Sequence, residues 1–514
     1  MTRMNDVMAA SFPLRLGSID VGSNALRFMA AEFSAPRRFE VLEQQRSPIR
    51  LGHDVFLTGR LASDALRGAL DALVAFRQRM DELEVKHYRA VATSAVRDSR
   101  NGDELIDCAR TVAGIELEVI SGAEEARLAH LAVRTRIDLG PRHWVLADLG
   151  GGSVEVSIVD ESGIHWTESH GMGSVRLLEE LAVSGDEPGR FRRRLEEYTA
   201  TLRLPPSAHN GLAGFIATGG NIEALARLIG AQPDRRGVGV IETARLRSTI
   251  EALAQLSYRQ RVDDLGLRED RADVILPAAM VYERLAELAG MGQILVPNVG
   301  IRDGVLVDLA EELVPSEPGH SRVDEIVRTG ATNLGRRYDF DAAHAHHVAR
   351  LALSLFDQLE ELHNLDAHDR RLLLAAAILH DIGTFIGYAR HHKHSLYIIS
   401  ESELPGFSPA DIQLIANVAR YHRKSAPADH HEAYTRLSEG GREKVRKLAA
   451  ILRLADALDR EHRQTVHSVR ITVHGSAVTL ELDGDGDLVL ERWALAQKAG
   501  MFEKVYQLTV KVRD

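Results

Sequence analysis

Two short segments of the chain place an aspartate at the end of an apolar run and then turn through glycine and small polar residues. The segments are Asp20-Val21-Gly22-Ser23-Asn24 and Asp148-Leu149-Gly150-Gly151-Gly152-Ser153. Because glycine has no Cβ, backbone N–H groups in such a turn approach an anion closely, and the aspartate can hold a cation or position a water. One loop of this kind is typical of many turns between a strand and a helix. Two of them indicate a pair of phosphate loops facing a cleft between two lobes.

Three more polar segments follow short apolar runs that have the pattern of buried strands. They are Thr93-Ser94-Ala95-Val96-Arg97, Ser121-Gly122-Ala123-Glu124-Glu125-Ala126-Arg127 and Gly219-Gly220-Asn221. In open α/β sheets, ligands bind at the carboxyl ends of the strands. We therefore expect these segments and the two loops to line one cleft.

The composition is that of a globular protein with several domains. The chain has 514 residues, 45% hydrophobic and 27% charged, and no apolar run approaches the length of a membrane span. Its single cysteine, Cys108, excludes a disulfide within the chain, and its first ten residues lack the features of a secretory signal. We expect a cytoplasmic protein with no membrane role. The net charge of −11 argues against nucleic acid as a partner.

Apolar periodicity predicts two α/β regions, then a helical region and a small α+β end. The predicted strands of the first two regions are 14–20, 28–33, 39–44, 88–93, 117–120, 144–148, 154–159, 164–169, 215–218 and 293–299. Pro, Ser and Gly at 314–319 indicate a linker. Beyond it, 12 of the 23 histidines lie between His344 and His431, among segments with helical periodicity. Strands at 465–473, 478–482 and 505–512, with a helix at 492–498, complete the prediction.

Taken in order, these motifs resemble those of the exopolyphosphatase and guanosine pentaphosphate phosphohydrolase family, in the superfamily of actin, sugar kinases and heat-shock chaperones. The resemblance covers most of the chain. It implies an α/β N-terminal half of two actin-like, ribonuclease H-like lobes, over residues 1–136 and 137–312. It also implies an all-α domain over 320–462, a small α+β domain over 463–514 and a homodimer.

The resemblance assigns roles to residues of the cleft. Glu125 matches the catalytic glutamate that takes a proton from the attacking water, and Arg97 matches an arginine that binds phosphate. Asp148 and Glu155 match acidic residues beside a magnesium ion. Glu124 is the alternative to Glu125, and we expect it to face away because adjacent helical residues do not share a face. The other residues expected at phosphate are Asp20, Gly22, Ser23, Asn24, Gly150, Gly151, Gly152, Ser153, Gly219 and Gly220.

These assignments predict a hydrolase that releases terminal phosphate from inorganic polyphosphate. Hydrolysis of guanosine pentaphosphate is the alternative, because both substrates present a linear phosphate end. A kinase of the same superfamily would bind ATP with similar loops, but the context of Glu125 favours hydrolysis. A different class of hypothesis makes the two lobes a sensing module and leaves the chemistry to the histidine-rich domain.

The helical region resembles the metal-dependent phosphohydrolases named for their His-Asp pair, the HD type. The matching residues are His344, His380, Asp381 and Asp456, with His394 and His422 as ligands of a second metal. Imidazole with carboxylate suits a divalent transition metal ion, and a structural role for these histidines is the alternative. The remaining histidines expected at the surface or in support are His346, His347, His391, His392 and His431.

Basic residues of the same region have two interpretations. They are Arg420, Arg423, Lys424, Arg442, Lys444, Arg446 and Lys447. They form either a channel for a polyanion or a solvated helix face. A continuous basic groove would favour the channel.

Overall fold

The structure is a computed structural model that describes residues 12–181, 188–205, 211–314 and 322–513. The chain divides into two compact units, Met1–Gly319 and His320–Asp514. The predicted linker at 314–319 lies, apart from Val314, outside the described residues. Among the residues that are described, no helix is long and apolar enough to cross a bilayer.

The first unit contains two sheets and the helices that cover them. Its strands are Leu14–Val21 (β1), Leu26–Ala35 (β2), Arg38–Ser47 (β3), His87–Ala92 (β4), Leu117–Val119 (β5), Trp144–Leu149 (β6), Val154–Val159 (β7), Ile164–His170 (β8), Phe215–Thr218 (β9), Gly239–Glu242 (β10) and Gln293–Val296 (β11). Its helices are Gly52–Thr58 (α1), Ser63–Glu82 (α2), Ser94–Arg97 (α3), Gly102–Cys108 (α4), Gly122–Val133 (α5), Ser174–Leu181 (α6), Pro188–Thr199 (α7), Gly220–Ile229 (α8), Thr243–Gln255 (α9), Tyr258–Asp263 (α10), Glu269–Ala272 (α11), Ile275–Ala289 (α12) and Ile301–Leu313 (α13).

The two sheets repeat one strand order. The first runs β3-β2-β1-β4-β5, and the second runs β8-β7-β6-β9-β11 with β10 added at its edge. In both, the first three strands in sequence are antiparallel and the next two run parallel to the central strand. The mixed α/β architecture predicted for the N-terminal half is confirmed, and the repeated order agrees with the expected pair of actin-like lobes.

The last helix of each lobe packs on the sheet of the other lobe. Helix α5 follows the first sheet in the chain, but its Ala126, Ala129 and Val133 are buried against the second sheet. Helix α13 follows the second sheet, and its Leu306 and Leu309 are buried against the first. A division of the chain at residue 136 therefore separates α5 from the sheet on which it packs, and the whole first unit forms one compact body.

The second unit is helical with a small sheet. Its helices are Arg322–Arg337 (α14), Ala342–Gln358 (α15), Glu360–His363 (α16), Ala367–Leu379 (α17), His391–Ser400 (α18), Pro409–Arg420 (α19), Glu432–Thr435 (α20), Glu439–Ala457 (α21), Val489–Lys498 (α22) and Gly500–Tyr506 (α23). Its strands are Val466–His474 (β12), Ala477–Gly484 (β13) and Thr509–Arg513 (β14). Local sequence explains where α19 begins: Ser408 and Asp411 form a capping box, and Pro409 occupies the first turn.

Two expectations for the C-terminal part are corrected. Residues 505–506 end helix α23 instead of starting a strand, because Phe502 and Tyr506, four residues apart, place their rings on one face of a helix that packs on α21. The strand begins only at Thr509. The predicted boundary at 462–463 does not separate two cores, because Val466, Val478 and Phe502 belong to the same buried cluster as the helices.

Candidate active site

The two glycine-rich loops meet face to face between the lobes. A Cβ placed on Gly151 would lie 2.9 Å from Cβ of Ser23, and one placed on Gly152 would lie 2.2 Å from Oγ of Ser94. Ser23 and Ser94 also share a hydrogen bond of 3.0 Å between their hydroxyl groups. Glycine in the second loop is therefore required by the close approach of the first lobe.

Most of the residues that sequence analysis assigned to the cleft, in catalytic, metal-binding or phosphate-binding roles, line it. These are Asp20, Gly22, Ser23, Asn24, Glu125, Asp148, Gly150, Gly151, Ser153, Gly219 and Gly220. Gly152, Arg97 and Glu155 are not part of this lining. Gly219 has φ +101, and a Cβ there would lie 2.5 Å from the carbonyl oxygen of Leu149, so the turn before α8 excludes a side chain.

Glu125 lies in the first turn of α5, where Ser121 caps the helix by accepting from the backbone N–H of Glu124. The Glu125 carboxylate accepts a 2.7 Å hydrogen bond from Nη1 of Arg97. Burial, together with Asp148 and Asp20, raises the pKa of Glu125 to about 7 despite this arginine. A carboxylate with a pKa near neutrality is suited to take a proton from water.

Glu124 faces away from the cleft, as the sequence predicted. It accepts hydrogen bonds from Arg127 at 2.7 Å and from Arg89 at 3.0 Å, and both arginines also donate to Asp308 of α13. These arginines outweigh burial and hold the pKa of Glu124 below its usual range. The group is a buried ion-pair network that joins α5 to α13.

Strand register explains why the carboxylates of the cleft converge. Asp148 of β6 is paired with Glu155 of β7, so the two side chains project from the same face. Thr218 is paired with Asp148 in the parallel direction and donates a 2.6 Å hydrogen bond to it. Burial, with help from Asp20, raises the pKa of Asp148 to about 6. Burial, Glu125 and Asp148 raise the pKa of Glu155 well above its usual value.

Only one of the two carboxylate oxygens of Glu155 accepts a hydrogen bond in the described part of the chain. Oε1 accepts from the hydroxyl of Ser169 at 2.9 Å, whereas the buried Oε2 has no hydrogen-bond partner in the described part of the chain. Four buried carboxylates, those of Asp20, Glu125, Asp148 and Glu155, raise one another's proton affinity in this cleft. Carboxylates supply the hard oxygen donors that fit Mg²⁺.

Sequence analysis missed two arginines that line the cleft, Arg27 and Arg271. Arg27 is paired with Asp20 across the β1–β2 hairpin, and its guanidinium lies 3.5 Å from that carboxylate. Asp20 and Arg27 are seven residues apart across a tight hairpin, and this spacing could have predicted from the sequence that they face each other. Arg271 donates to Asn221, and burial with Arg27 nearby lowers its pKa to about 9. Nothing in the local sequence relates Arg271 to the loops.

Comparison with known proteins decides the family. Residues 31–313 match the Ppx/GppA phosphatase family, and residues 326–499 match Ppx/GppA phosphatase domain III. The chain belongs to the Ppx/GppA phosphatase family.

Relatives in this family carry two different names. A guanosine-5'-triphosphate,3'-diphosphate pyrophosphatase of Aeromonas hydrophila is 27% identical over 476 residues, 90% of this chain and 92% of that protein. The crystal structure of an exopolyphosphatase from Cytophaga hutchinsonii is 27% identical, with a TM-score of 0.54 over 58% of this chain and 98% of its own. A family member from Aquifex aeolicus, 24% identical with a TM-score of 0.50 over 60% of this chain and 99% of its own, supports the fold alone.

The described part of domain III in this Ppx/GppA phosphatase contains three overlapping groups of side chains that could hold a metal ion. One is His344, His380 and Asp456, another is Asp381, His391 and His422, and the third is His344, Asp381 and His462. Nε2 of His344 lies 3.2 Å from Nε2 of His380, and Nε2 of His391 lies 3.2 Å from Nε2 of His422. Oδ1 of Asp381 lies 3.8 Å from His380 and 2.9 Å from His391, so Asp381 lies between the first two of these groups.

In each of the four histidines His344, His380, His391 and His422, Nδ1 faces a hydrogen-bond acceptor. Nδ1–H donates to a backbone carbonyl in His380 (Ala377, 2.7 Å), His422 (Ala419, 2.7 Å) and His391 (Tyr388, 3.1 Å). In His344 it donates to Asp459 at 2.8 Å. In the neutral imidazoles each Nε2 is then unprotonated, and the Nε2 atoms face each other in two pairs at 3.2 Å. Such an arrangement fits a cation between the nitrogens of each pair.

The structure places His391, and not the predicted ligand His394, in a group that could hold a metal ion. The face of α18 that packs on this cluster carries His391 and Ser395, which are four residues apart; Ser395 donates to the carbonyl of His380. His394 is displaced from Ser395 by about 100° around the helix and joins none of these groups in the described part of the chain. His391, which the sequence placed at the surface or in support, is buried and lies in one of them.

The remaining carboxylate of the cluster has a further partner. Oδ1 of Asp456 lies 3.8 Å from His344 and 3.7 Å from His380, and its other oxygen accepts from Nζ of Lys498 in α22. Lys498 and the histidines outweigh burial and hold the pKa of Asp456 well below its usual range. Lys498 thereby keeps Asp456 ionised and oriented.

Three of the seven basic residues considered for a channel have local partners. Lys444 pairs with Asp369, Lys447 pairs with Glu443, and Arg446 donates to the hydroxyl of Tyr434. These side chains have local structural partners and do not extend a groove.

Proposed function

We propose that the cleft between the two lobes releases orthophosphate from the end of an inorganic polyphosphate chain. The observation that carries the proposal is the 2.7 Å pair of Glu125 and Arg97 beside two facing glycine loops. Glu125 supplies a buried proton acceptor, and the guanidinium of Arg97 supplies a fork that suits two phosphate oxygens.

In the proposed reaction, the oxygen of a water beside Glu125 forms a bond to the terminal phosphorus while the bridging P–O bond breaks. One proton of the water goes to Glu125, and the bridging oxygen leaves with the shortened chain. Backbone N–H groups of the two loops, with Arg27 and Arg271, bind the phosphate oxygens as the charge moves.

The carboxylates of the cleft fit a magnesium ion, with Asp148 and Glu155 as the residues that would hold it. The buried, unpartnered Oε2 of Glu155 is the structural reason. Bound Mg²⁺ would neutralise charge on the phosphates and lower the barrier for water attack.

The lining of the cleft favours a substrate recognised through phosphate alone. Its residues, in the part of the chain that the structure describes, include no aromatic side chain on which a base could stack. Guanosine pentaphosphate is the second candidate, because the relative named for that nucleotide matches 90% of this chain and the exopolyphosphatase structure matches 58%.

The test is orthophosphate release from long-chain polyphosphate and from guanosine pentaphosphate, measured in parallel with Glu125→Gln. We expect the substitution to lower kcat by about 10²- to 10⁴-fold on the preferred substrate. Glu124→Gln is the matched control: it removes a carboxylate from the α5 to α13 network and should lower thermal stability more than turnover per folded molecule. Turnover that survives Glu125→Gln unchanged would refute the proposal.

We further infer that domain III holds two divalent transition metal ions and hydrolyses a phosphate ester or anhydride, as the HD resemblance implies. The four unprotonated Nε2 atoms carry this inference. The step transfers a water oxygen to phosphorus, and the leaving oxygen departs with the proton that the water gives up. Asp381→Ala should lower the bound metal of purified protein from about two equivalents to less than one, while His394→Ala leaves it unchanged. Equal metal content in both variants would contradict the inference.

A further inference from the structure

The mouth of the domain III centre is formed by the segment that links two of its proposed ligands. Only nine residues separate Asp381 from His391, so this segment borders the cluster. The segment exposes three large hydrophobic side chains to solvent: Tyr388 is 70% exposed, Phe385 59% and Ile386 54%. The Asp381 side chain, at 25% exposure, is the part of the centre that solvent reaches at this rim.

Arg423 connects the exposed Tyr388 ring with the ring of His391. Its guanidinium carbon lies 5.8 Å from the centre of the Tyr388 ring. Its Nη1 lies 3.3 Å from Nδ1 and 3.2 Å from Nε2 of His391. An atom almost equidistant from both ring nitrogens lies over the face of the imidazole, so the guanidinium of Arg423 stacks on His391.

Five cations at this rim have no acidic partner. Within the described ranges, no carboxylate lies within 4.0 Å of their charged nitrogens; they are Arg390, Lys393, Arg420, Arg423 and Lys424. Arg420 and Lys393 both lie near His431, and these two cations, together with burial, lower the pKa of that histidine. Elsewhere in the same domain, Lys444 and Lys447 pair with Asp369 and Glu443. The five unpaired cations lie in the chain segments that adjoin His391 and His422.

Unpaired cations and exposed aromatic rings occur together at this rim, and a ligand that explains only one of the two features leaves the other unexplained. Unpaired cations suit an anion of several charges, but a bare phosphate chain gives no use for an exposed ring. Exposed rings suit a protein surface, but such a surface gives no reason for unpaired cations around a metal-ligating cluster. A ligand with an aromatic base and more than one phosphate uses both features.

We propose that domain III binds a nucleoside polyphosphate, with its base stacked on Tyr388 beside Arg423 and its phosphates directed to the cations and the cluster. The proposal rests on the second activity inferred above. It gives the chain two sites with different preferences, because the cleft between the lobes recognises phosphate without a stacking surface.

The experiment uses the full chain carrying Glu125→Gln, which silences the first cleft, with Mn²⁺ added. ATP and inorganic tripolyphosphate are the probes, because they share a triphosphate and differ in the nucleoside. We expect Tyr388→Ala to raise KM for ATP by about tenfold with kcat changed less than about twofold. Tyr388→Phe should restore the KM, and Tyr258→Ala, an exposed tyrosine of the first unit, is the control.

The outcomes separate this proposal from the activity on which it rests. Loss of ATP turnover in Asp381→Ala with no effect of Tyr388→Ala refutes the base-stacking rim and keeps the second activity. Equal kcat/KM for tripolyphosphate and ATP also refutes it. If neither probe turns over, the second activity fails, and binding of a fluorescent ATP analogue decides the rim: weakening by Tyr388→Ala supports it, and indifference refutes it. A change of oligomeric state in Tyr388→Ala without any change in nucleotide binding assigns the surface to a protein partner and overturns the proposal.

Discussion

At the scale of residues, two adjacent glutamates have opposite environments. Glu124 is surrounded by Arg89 and Arg127, which hold its pKa below the usual range. Glu125 faces one arginine and several carboxylates, and its pKa is raised to about 7. The same type of side chain is thus held as an anion at one position and titrates near neutrality at the next.

The raised pKa of Glu125 predicts a pH dependence of stability. In metal-free protein, the folded state keeps a proton that the unfolded chain releases above its ordinary pKa of 4.5. The free energy of unfolding should therefore fall as pH rises from about 4.5 to about 7, and Asp148 adds a fall between about 3.8 and 6. Urea unfolding at about pH 5 and about pH 8 measures this difference.

Two comparisons control that measurement. Mg²⁺ should reduce the loss at the higher pH, because a bound cation favours the ionised carboxylates. Glu125→Gln should flatten the Glu125 part of the dependence, since the amide does not titrate. A metal-free protein that becomes more stable across this window would show that the cleft carboxylates are ionised well below pH 7.

Residues on local motifs were predictable from sequence, and residues brought in by tertiary packing were not. Asp20, Glu125 and Asp148 follow strands whose ends must meet, so their assembly follows from topology. Arg271 reaches the cleft from helix α11, which no spacing relates to the loops. His391 and His394 both lie on one turn of α18, and only the packing of that helix selects His391.

At the scale of elements, the contact between α5 and α13 limits the size of side chains. A Cβ on Gly304 of α13 would lie 2.0 Å from the carbonyl oxygen of Leu128 in α5. Glycine at this crossing permits the close approach that the ion-pair network also requires. Because α5 carries Glu125, the crossing also sets the position of this carboxylate.

Gly304→Ala is predicted to destabilise the protein by about 1–3 kcal/mol and to lower turnover by moving α5. Chemical denaturation and phosphate release of the variant measure the two effects. Gly440→Ala in α21 is the matched control, because nothing lies within 4 Å of its Cβ position. The control should be neutral or slightly stabilising. Equal stability of the two variants would contradict the close crossing.

Element boundaries show where sequence patterns lose information. Ten of the eleven described strands of the two lobes were predicted within a few residues, because they are buried apolar runs, and the short edge strand β10 was not predicted. Helix α23 was assigned to a strand, because Val505 begins an alternating run that also satisfies a helical face with Phe502 and Tyr506. The exchange of α5 and α13 between sheets was not predictable, since either sheet offers an apolar face.

At the scale of the whole molecule, each compact unit has its own hydrophobic core and its own proposed metal site. We predict that Mg²⁺ stabilises the first unit and Zn²⁺ the second, each by roughly 5 to 10 °C in Tm at about 100 times its Kd. Differential scanning calorimetry measures both shifts. Asp148→Asn should abolish only the Mg²⁺ shift, and Asp381→Ala only the Zn²⁺ shift; loss of both shifts in either variant would contradict separate sites.

The repeated strand order with exchanged terminal helices points to descent by gene duplication and fusion. A half-length ancestor with this arrangement would have been a symmetric dimer, with identical residues on both sides of its axis. In the present chain, Arg27 and Glu155 each lie seven residues after the aspartate of their loop and opposite it in the hairpin register. One copy has acquired a cation and the other an anion at the same position. Fusion allowed this divergence, because a single gene for a symmetric dimer cannot encode opposite charges at equivalent sites.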